Sequence, residues 1–145
     1  MSDDRLLCTF RVADHILGLD IAVVQEVLRR QEITRLPLAA PAVRGVINLR
    51  GRIVPAVDLR RCLELPPPAV GFEPSNIVVR GRDDAAASLL VDEIGDVVTV
   101  AAVSYERAPE TMRGAARELI HGVFPLHDRL VLELDLGKVL RAAYA

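Results

Sequence analysis

A segment near the middle of the chain recurs near its end. Shifted by 77 positions, residues 43–63, VRGVINLRGRIVPAVDLRRCL, fall on residues 120–140, IHGVFPLHDRLVLELDLGKVL. Eight of the 21 aligned positions are identical: Gly45/Gly122, Val46/Val123, Leu49/Leu126, Arg52/Arg129, Val54/Val131, Asp58/Asp135, Leu59/Leu136 and Leu63/Leu140. A second match, at a shift of 70, sets GLDIAVVQEVL (18–28) over SLLVDEIGDVV (88–98). A chain written twice folds as two units of one plan. The shifts differ by seven residues, which gives the second copy a seven-residue insertion, and ETMRGAA, between Pro109 and Arg117, is its natural place. The halves run from about 5 to 65 and from about 76 to 140. The joint is PPPAVGFEPS (66–75), a loop by its Pro and Gly content.

Local signals in both copies favour strands. LCTFRV (7–12) and ILGL (16–19) read as a hairpin around Ala13-Asp14-His15, and NIVVR (76–80) and ASLLVDEI (87–94) as another around Arg82-Asp83-Asp84. GVINL (45–49) and RIVPAVDL (52–59) flank Arg50-Gly51, where Gly51 can supply the positive φ of a tight turn. The second copy repeats this as GVFPL and RLVLELDL around His127-Asp128. Pro55 cannot donate to a ladder, so it predicts an edge strand or a bulge. Short helices are predicted over 59–65 and 136–143, capped by Asp58 and Asp135. About five short strands per half predict two small barrels, since closure removes exposed edges. The fold class is mainly β, with a few short helices and room for strands to exchange between the halves.

The side chains offer little chemistry. Of the 145 residues, 51% are hydrophobic and only 3% aromatic, so the core is aliphatic. Cys8 and Cys62 are too far apart for a metal or redox motif. There is no phosphate loop, no dinucleotide fingerprint, no zinc-protease motif and no nucleophile elbow. His15, His121 and His127 read as exposed hairpin residues, and Asp92, Glu93 and Asp96 as a solvated strand end; a metal or hydrolytic site built on them is a remote alternative. No cofactor is expected. The acidic N-terminus carries no apolar leader, and nothing approaches the ~18 uncharged apolar residues of a membrane helix, so a soluble cytosolic protein is expected.

Charge is uneven. Residues 29–61 hold eight arginines (29, 30, 35, 44, 50, 52, 60, 61) against Glu32 and Asp58. Such a face suits a single-stranded nucleic acid, but the segment has no aromatic ring for base stacking. An Arg-rich solvated face or a docking face for an acidic protein partner are the other readings. Val23–Val27 and Glu93–Val97 read as packed strand residues or as matching apolar patches offered to partners.

Taken together, GVINLRGRIVPAVDLR (45–60), DIAVVQEVL (20–28), ITRLP (33–37), LLVDEIGDVV (89–98), ERAP (106–109) and IHGVF…LVLELDLGKVL (120–140) resemble the CheW-like family of chemotaxis coupling proteins, from about Leu6 to Leu140. The resemblance implies one CheW-like domain over 1–145, made of two SH3-like barrels related by a pseudo-twofold. It implies a non-enzymatic adaptor that ties the cytoplasmic tips of chemoreceptors to the regulatory domain of a CheA-type histidine kinase. Such an adaptor is cytoplasmic and recruited to membrane-associated receptor arrays. The resemblance assigns partner contact to Val24, Glu26 and Val27, to Gly45, Asn48, Arg50 and Gly51 of the signature hairpin, and to Ile94 and Val97. By residue type alone, Gly45 and Gly51 serve backbone geometry, and Arg50 is an exposed tip.

Overall fold

The structure, a computed structural model, describes residues 4–81, 83–109, 112 and 114–145. Ten strands follow the alternating and β-branched runs: β1 (Asp4–Val12), β2 (His15–Asp20), β3 (Val24–Leu28), β4 (Val43–Leu49), β5 (Arg52–Asp58), β6 (Ser75–Arg80), β7 (Ala86–Val91), β8 (Glu93–Ala101), β9 (Ile120–Pro125) and β10 (Leu130–Leu134). Three short helices join them: α1 (Leu59–Cys62), α2 (Gly114–Leu119) and α3 (Leu136–Ala143). The repeated Asp58 and Asp135 each cap a helix, accepting from Arg61 N at 3.3 Å and Lys138 N at 3.2 Å.

The strands form two five-stranded sheets, ordered β3-β6-β7-β5-β4 and β8-β1-β2-β10-β9. The two orders are one plan. The β6–β7 hairpin occupies the place of β1–β2, and β5 runs parallel to β7 as β10 runs parallel to β2. Each sheet draws on both halves of the chain. β3 leaves the first hairpin to edge the sheet of β4–β7, and β8 leaves the second hairpin to pair with β1. The halves thus exchange an edge strand each.

Both barrels close in the same way. Thr34 and Val46 exchange two backbone hydrogen bonds of 2.8 Å, and so do Glu106 and Val123. The repeated glycines sit at these seams. A Cβ on Gly45 would run into the Thr34 carbonyl, and one on Gly122 into the Tyr105 ring. The seams also place the extra residues of the second copy. Thr34 and Val46 are 12 positions apart and Glu106 and Val123 are 17, so five of the seven extra residues follow the seam and two precede it. The insertion is therefore split rather than confined to 110–116, and its described part contains α2, a helix the sequence pattern did not single out.

Two other expectations change. The run 87–94 is not one strand: β7 ends at Val91, Asp92 turns the chain, and β8 begins at Glu93 in the other sheet. Of the two readings of Pro55, the edge strand is not met, since β5 is interior, between β4 and β7; a register shift does lie next to it, between Val43 and Gly45 opposite Val57 and Ala56. Pro55 is tolerated because the hairpin closes at Leu49/Arg52 and alternate pairs exchange hydrogen bonds, which makes Val46/Pro55 a non-hydrogen-bonded pair. The missing N–H then faces the β7 side, where pairing begins only at Ala56.

The main core lies between the barrels. Phe10, Leu17, Leu19, Val57, Leu59, Ile77, Leu89, Leu132 and Val139 belong to one buried cluster that draws on both sheets. Each barrel also has a small interior, Ile47, Leu49, Val54, Ala56, Val78 and Leu90 in one, and Leu7, Val100, Phe124 and Val131 in the other. At roughly 25 cal/mol per Å² of apolar surface buried, the shared cluster is what fuses the two barrels into one body.

Candidate partner-binding surface

The signature hairpin is a two-residue turn. Arg50 and Gly51 both have positive φ, 52° and 85°, as a turn matched to strand twist requires. The Asn48 side-chain oxygen accepts from Gly51 N at 2.8 Å and fixes the tip. Arg50, the non-glycine residue of the pair, reaches across the barrel mouth to β3. Its Nη1 donates to Glu26 Oε1 at 3.2 Å, and its Nη2 to Glu26 Oε2. Strands β3 and β4 are the two edges of the sheet, so this ion pair and the Thr34–Val46 seam close one barrel together. Glu26 is mostly covered, whereas Arg50 stays 69% exposed.

The candidate residues therefore divide. Glu26, Asn48, Arg50 and Gly51 meet at one end of the first barrel, with Val27 on β3 exposed beside them. Gly45 is a seam residue that touches the chain's own Thr34. Val24 faces inward and packs against the shared core. On β8, Ile94 lies opposite Phe10 and also packs against that core, while Val97, opposite Cys8, is 52% exposed. Val27 and Val97 thus offer apolar surface to solvent from the two exchanged edge strands, and Val24 and Ile94 anchor those strands.

The acidic run 92–96 is not a solvated strand end throughout. The side chain of Asp92 is buried at the turn between the sheets, where it accepts from Arg60 Nε and Nη2 at 3.0 and 2.6 Å and from Ala13 N at 2.7 Å. Burial alone would raise its pKa, but the Arg60 and Ala13 hydrogen bonds and the charges of Arg60 and Arg11 hold it below the usual carboxylate value. A second cluster, Arg5 with Asp20 and Glu133, ties β1 to the end of β2 and to β10. Arg30 pairs with Glu73, Arg44 with Asp58, Arg50 with Glu26 and Arg60 with Asp92. Half of the eight arginines of 29–61 are thus joined to the chain's own carboxylates, which blunts the expected basic face. Sequence reasoning missed the partners of Arg5, Arg11 and Arg60 because they include carboxylates 128, 81–82 and 32 positions away that only the fold brings near. Among the described residues, no group of three or more His, Cys, Asp or Glu side chains is arranged to hold a metal ion.

Residues 6–144 match the family model for the CheW-like domain. The chain is 32% identical over 134 residues to the chemotaxis protein CheW of Bacillus subtilis, covering 92% of this chain and 85% of that protein. It is 30% identical over 132 residues to the CheW of Klebsiella aerogenes, covering 90% and 78%. The crystal structure of the scaffolding protein TtCheW from Thermoanaerobacter tengcongensis superimposes with a TM-score of 0.80 at 26% identity, over 93% of this chain and 90% of that one.

Proposed function

The chain belongs to the CheW-like family, and from that membership we propose that it works, as one CheW-like domain, as a non-enzymatic adaptor in a chemosensory signalling array. Its partners are the cytoplasmic tips of chemoreceptors and the regulatory domain of a CheA-type histidine kinase. No described helix is long and apolar enough to cross a membrane, so recruitment to a receptor array would run through protein contacts.

The observation that carries this reading is the place of the family signature in the fold. Asn48, Arg50 and Gly51 build a rigid tip, and that tip is clasped to Glu26 on β3. A partner meeting this end touches strand and hairpin as one preformed surface, which lowers the ordering cost of binding. Modest contacts suffice, because an array multiplies weak contacts through effective concentration. State is transmitted only if the contacts differ in free energy between the two receptor states.

The test is calorimetric titration with the kinase regulatory domain and, separately, with a receptor-tip fragment, both from the same genome. Binding to both supports the adaptor role. Binding to neither by folded protein overturns it, and a single-stranded oligonucleotide titration at low salt then tests the Arg-rich face.

A further inference from the structure

The twin barrels differ in chemistry at one interior place. The ladders make Asn76 on β6 the counterpart of Leu7 on β1, since the two lie opposite the repeat-related residues Leu28 and Val98 of the exchanged strands. Ser88 on β7 is likewise the counterpart of Gly18 on β2. In the second barrel this place is apolar: Leu7 is fully buried, and its Cδ1 lies 3.4 Å from where a Cβ on Gly18 would stand. In the first it is polar, with Asn76 and Ser88 only 1% and 0% exposed. Ser88 Oγ donates to Asn76 Oδ1 at 2.8 Å, and Asn76 Nδ2 donates to the Arg29 carbonyl at 3.1 Å. A carbonyl can only accept, so the serine hydroxyl, by donating to the amide oxygen, holds the amide nitrogen toward Arg29.

That bond falls where the exchanged strands part company. β8 continues past Val98, pairing Thr99 with Leu6 and Val100 with Arg5 before it ends at Ala101. β3 stops at Leu28, and the chain bends at Arg29, whose carbonyl Asn76 holds. Gln25 and Val27 are the exposed side chains of β3, and Arg29, just past its end, is exposed and joined to no carboxylate among the described residues. The next arginine, Arg30, is paired with Glu73. Stability does not call for the polar pair. The sister barrel fills the same place with Leu7 and Gly18, and exchanging a satisfied polar pair for an apolar one of similar shape is close to neutral.

We propose that Asn76 is a positioning residue of the partner surface on β3: by holding the Arg29 carbonyl it ends the strand there and sets the Arg29 side chain two positions beyond Val27, as the cation that meets a carboxylate of a protein partner. Ser88 acts through Asn76. The partner's charge follows from a guanidinium left without an internal counter-charge next to exposed apolar surface, a combination that anchors protein interfaces. The role rests on the adaptor reading, to which it adds a charged contact beyond the Arg50–Glu26 pair.

The test grafts the sister barrel's pair into the full chain, as Asn76→Leu with Ser88→Gly. The graft is expected to stay folded, and backbone amide relaxation of the free protein is expected to show residues 29–33 more mobile than in wild type. In titrations with the kinase regulatory domain and with the receptor-tip fragment, Arg29→Ala is expected to weaken binding to one of them about fivefold, the loss of one charged contact. The graft is expected to weaken that same binding, and Arg29→Ala added to the graft to cost little more. Such non-additivity separates positioning from plain packing, in which the two losses would add. Ser88→Ala removes only the bond that orients the amide. It is the milder variant if the graft unfolds, and is expected to show the same mobility and the same non-additivity. Unchanged mobility of 29–33, full affinity of Arg29→Ala in both titrations, or additive losses would overturn the proposal. Folded wild-type protein that binds neither partner would sink the adaptor reading and the carboxylate contact with it, while the relaxation measurement still decides whether Asn76 holds the segment.

Discussion

Arg50 and Glu26, 24 positions apart in the chain, join the two edge strands of one barrel across its mouth. The pair is asymmetric: the carboxylate is mostly covered and the guanidinium mostly in water. An ion pair of this kind contributes about 0.2–1 kcal/mol, because solvent screens the exposed partner. Its weight is geometric, since it holds a hairpin tip against a strand that the ladder does not reach.

Arg50→Ala is therefore expected to leave the protein folded and to weaken coupling. Thermal unfolding should shift down by less than about 4 °C, while binding in the calorimetric titrations falls. A double-mutant cycle with Glu26→Gln separates the pair from each residue's own contacts. A larger thermal loss for Arg50→Ala would make the arginine structural instead.

The two seam glycines should respond unequally to alanine. At Gly45 the new Cβ meets a backbone carbonyl that is itself bonded to Val46, so the seam must open. At Gly122 it meets the ring of Tyr105, a half-exposed side chain that can yield only by giving up its hydroxyl bond to the His121 carbonyl and its contacts with the His121 and Phe124 rings. Gly45→Ala is expected to cost about 2–3 kcal/mol and Gly122→Ala about 1, read as shifts in urea midpoint at constant slope. Equal costs would show that the ring is as fixed as the carbonyl.

Val54 lies in the small interior of the first barrel, 3% exposed beside Ile47 and Val78. Val54→Asp forces a carboxylate among aliphatic side chains with no partner, at a cost of several kcal/mol. Circular dichroism and amide spectra should show loss of the fold, whereas Val54→Ala should remain folded and lose about 1–3 kcal/mol. A cooperative native spectrum for the aspartate variant would contradict the packing.

The repeat made the barrels legible before any coordinates, because Gly45/Gly122 and Asp58/Asp135 recur where seams and helix caps recur. The chain's crossing between sheets was not legible at Asp92, since an apolar run followed by acids reads as a strand reaching water. Only tertiary packing brings Arg60 and the Ala13 amide to that carboxylate. Likewise a tip arginine gives no sign of its partner on another strand. Gly45 shows the opposite case: a residue placed by resemblance in a binding surface has a complete steric reason of its own.

Cys62 is buried, and burial, with the nearby charge of Asp58, pushes its thiol up to about 11. The thiolate is the reactive species, so native protein at pH 8 should label with a disulfide reagent far more slowly than unfolded protein. The labelling rate should rise in step with urea-induced opening. Fast labelling of Cys62 in the native state would mean that α1 opens readily.

Asp92 should set part of the acid limb of stability. Its folded pKa is depressed, so its contribution is fully present above the unfolded aspartate value, about 3.9, and is lost as pH falls through the lower folded value. Wild-type stability should thus decline below about pH 4 as this carboxylate takes up a proton. Asp92→Asn keeps the shape and an acceptor for Ala13 N but leaves Arg60 facing a neutral amide. At pH 7 it is expected to cost about 2–3 kcal/mol, and the gap from wild type should narrow as pH falls toward 3. Urea unfolding at a series of pH values measures both. A gap that stays constant across that range would show that the Asp92 charge contributes nothing beyond its hydrogen bonds.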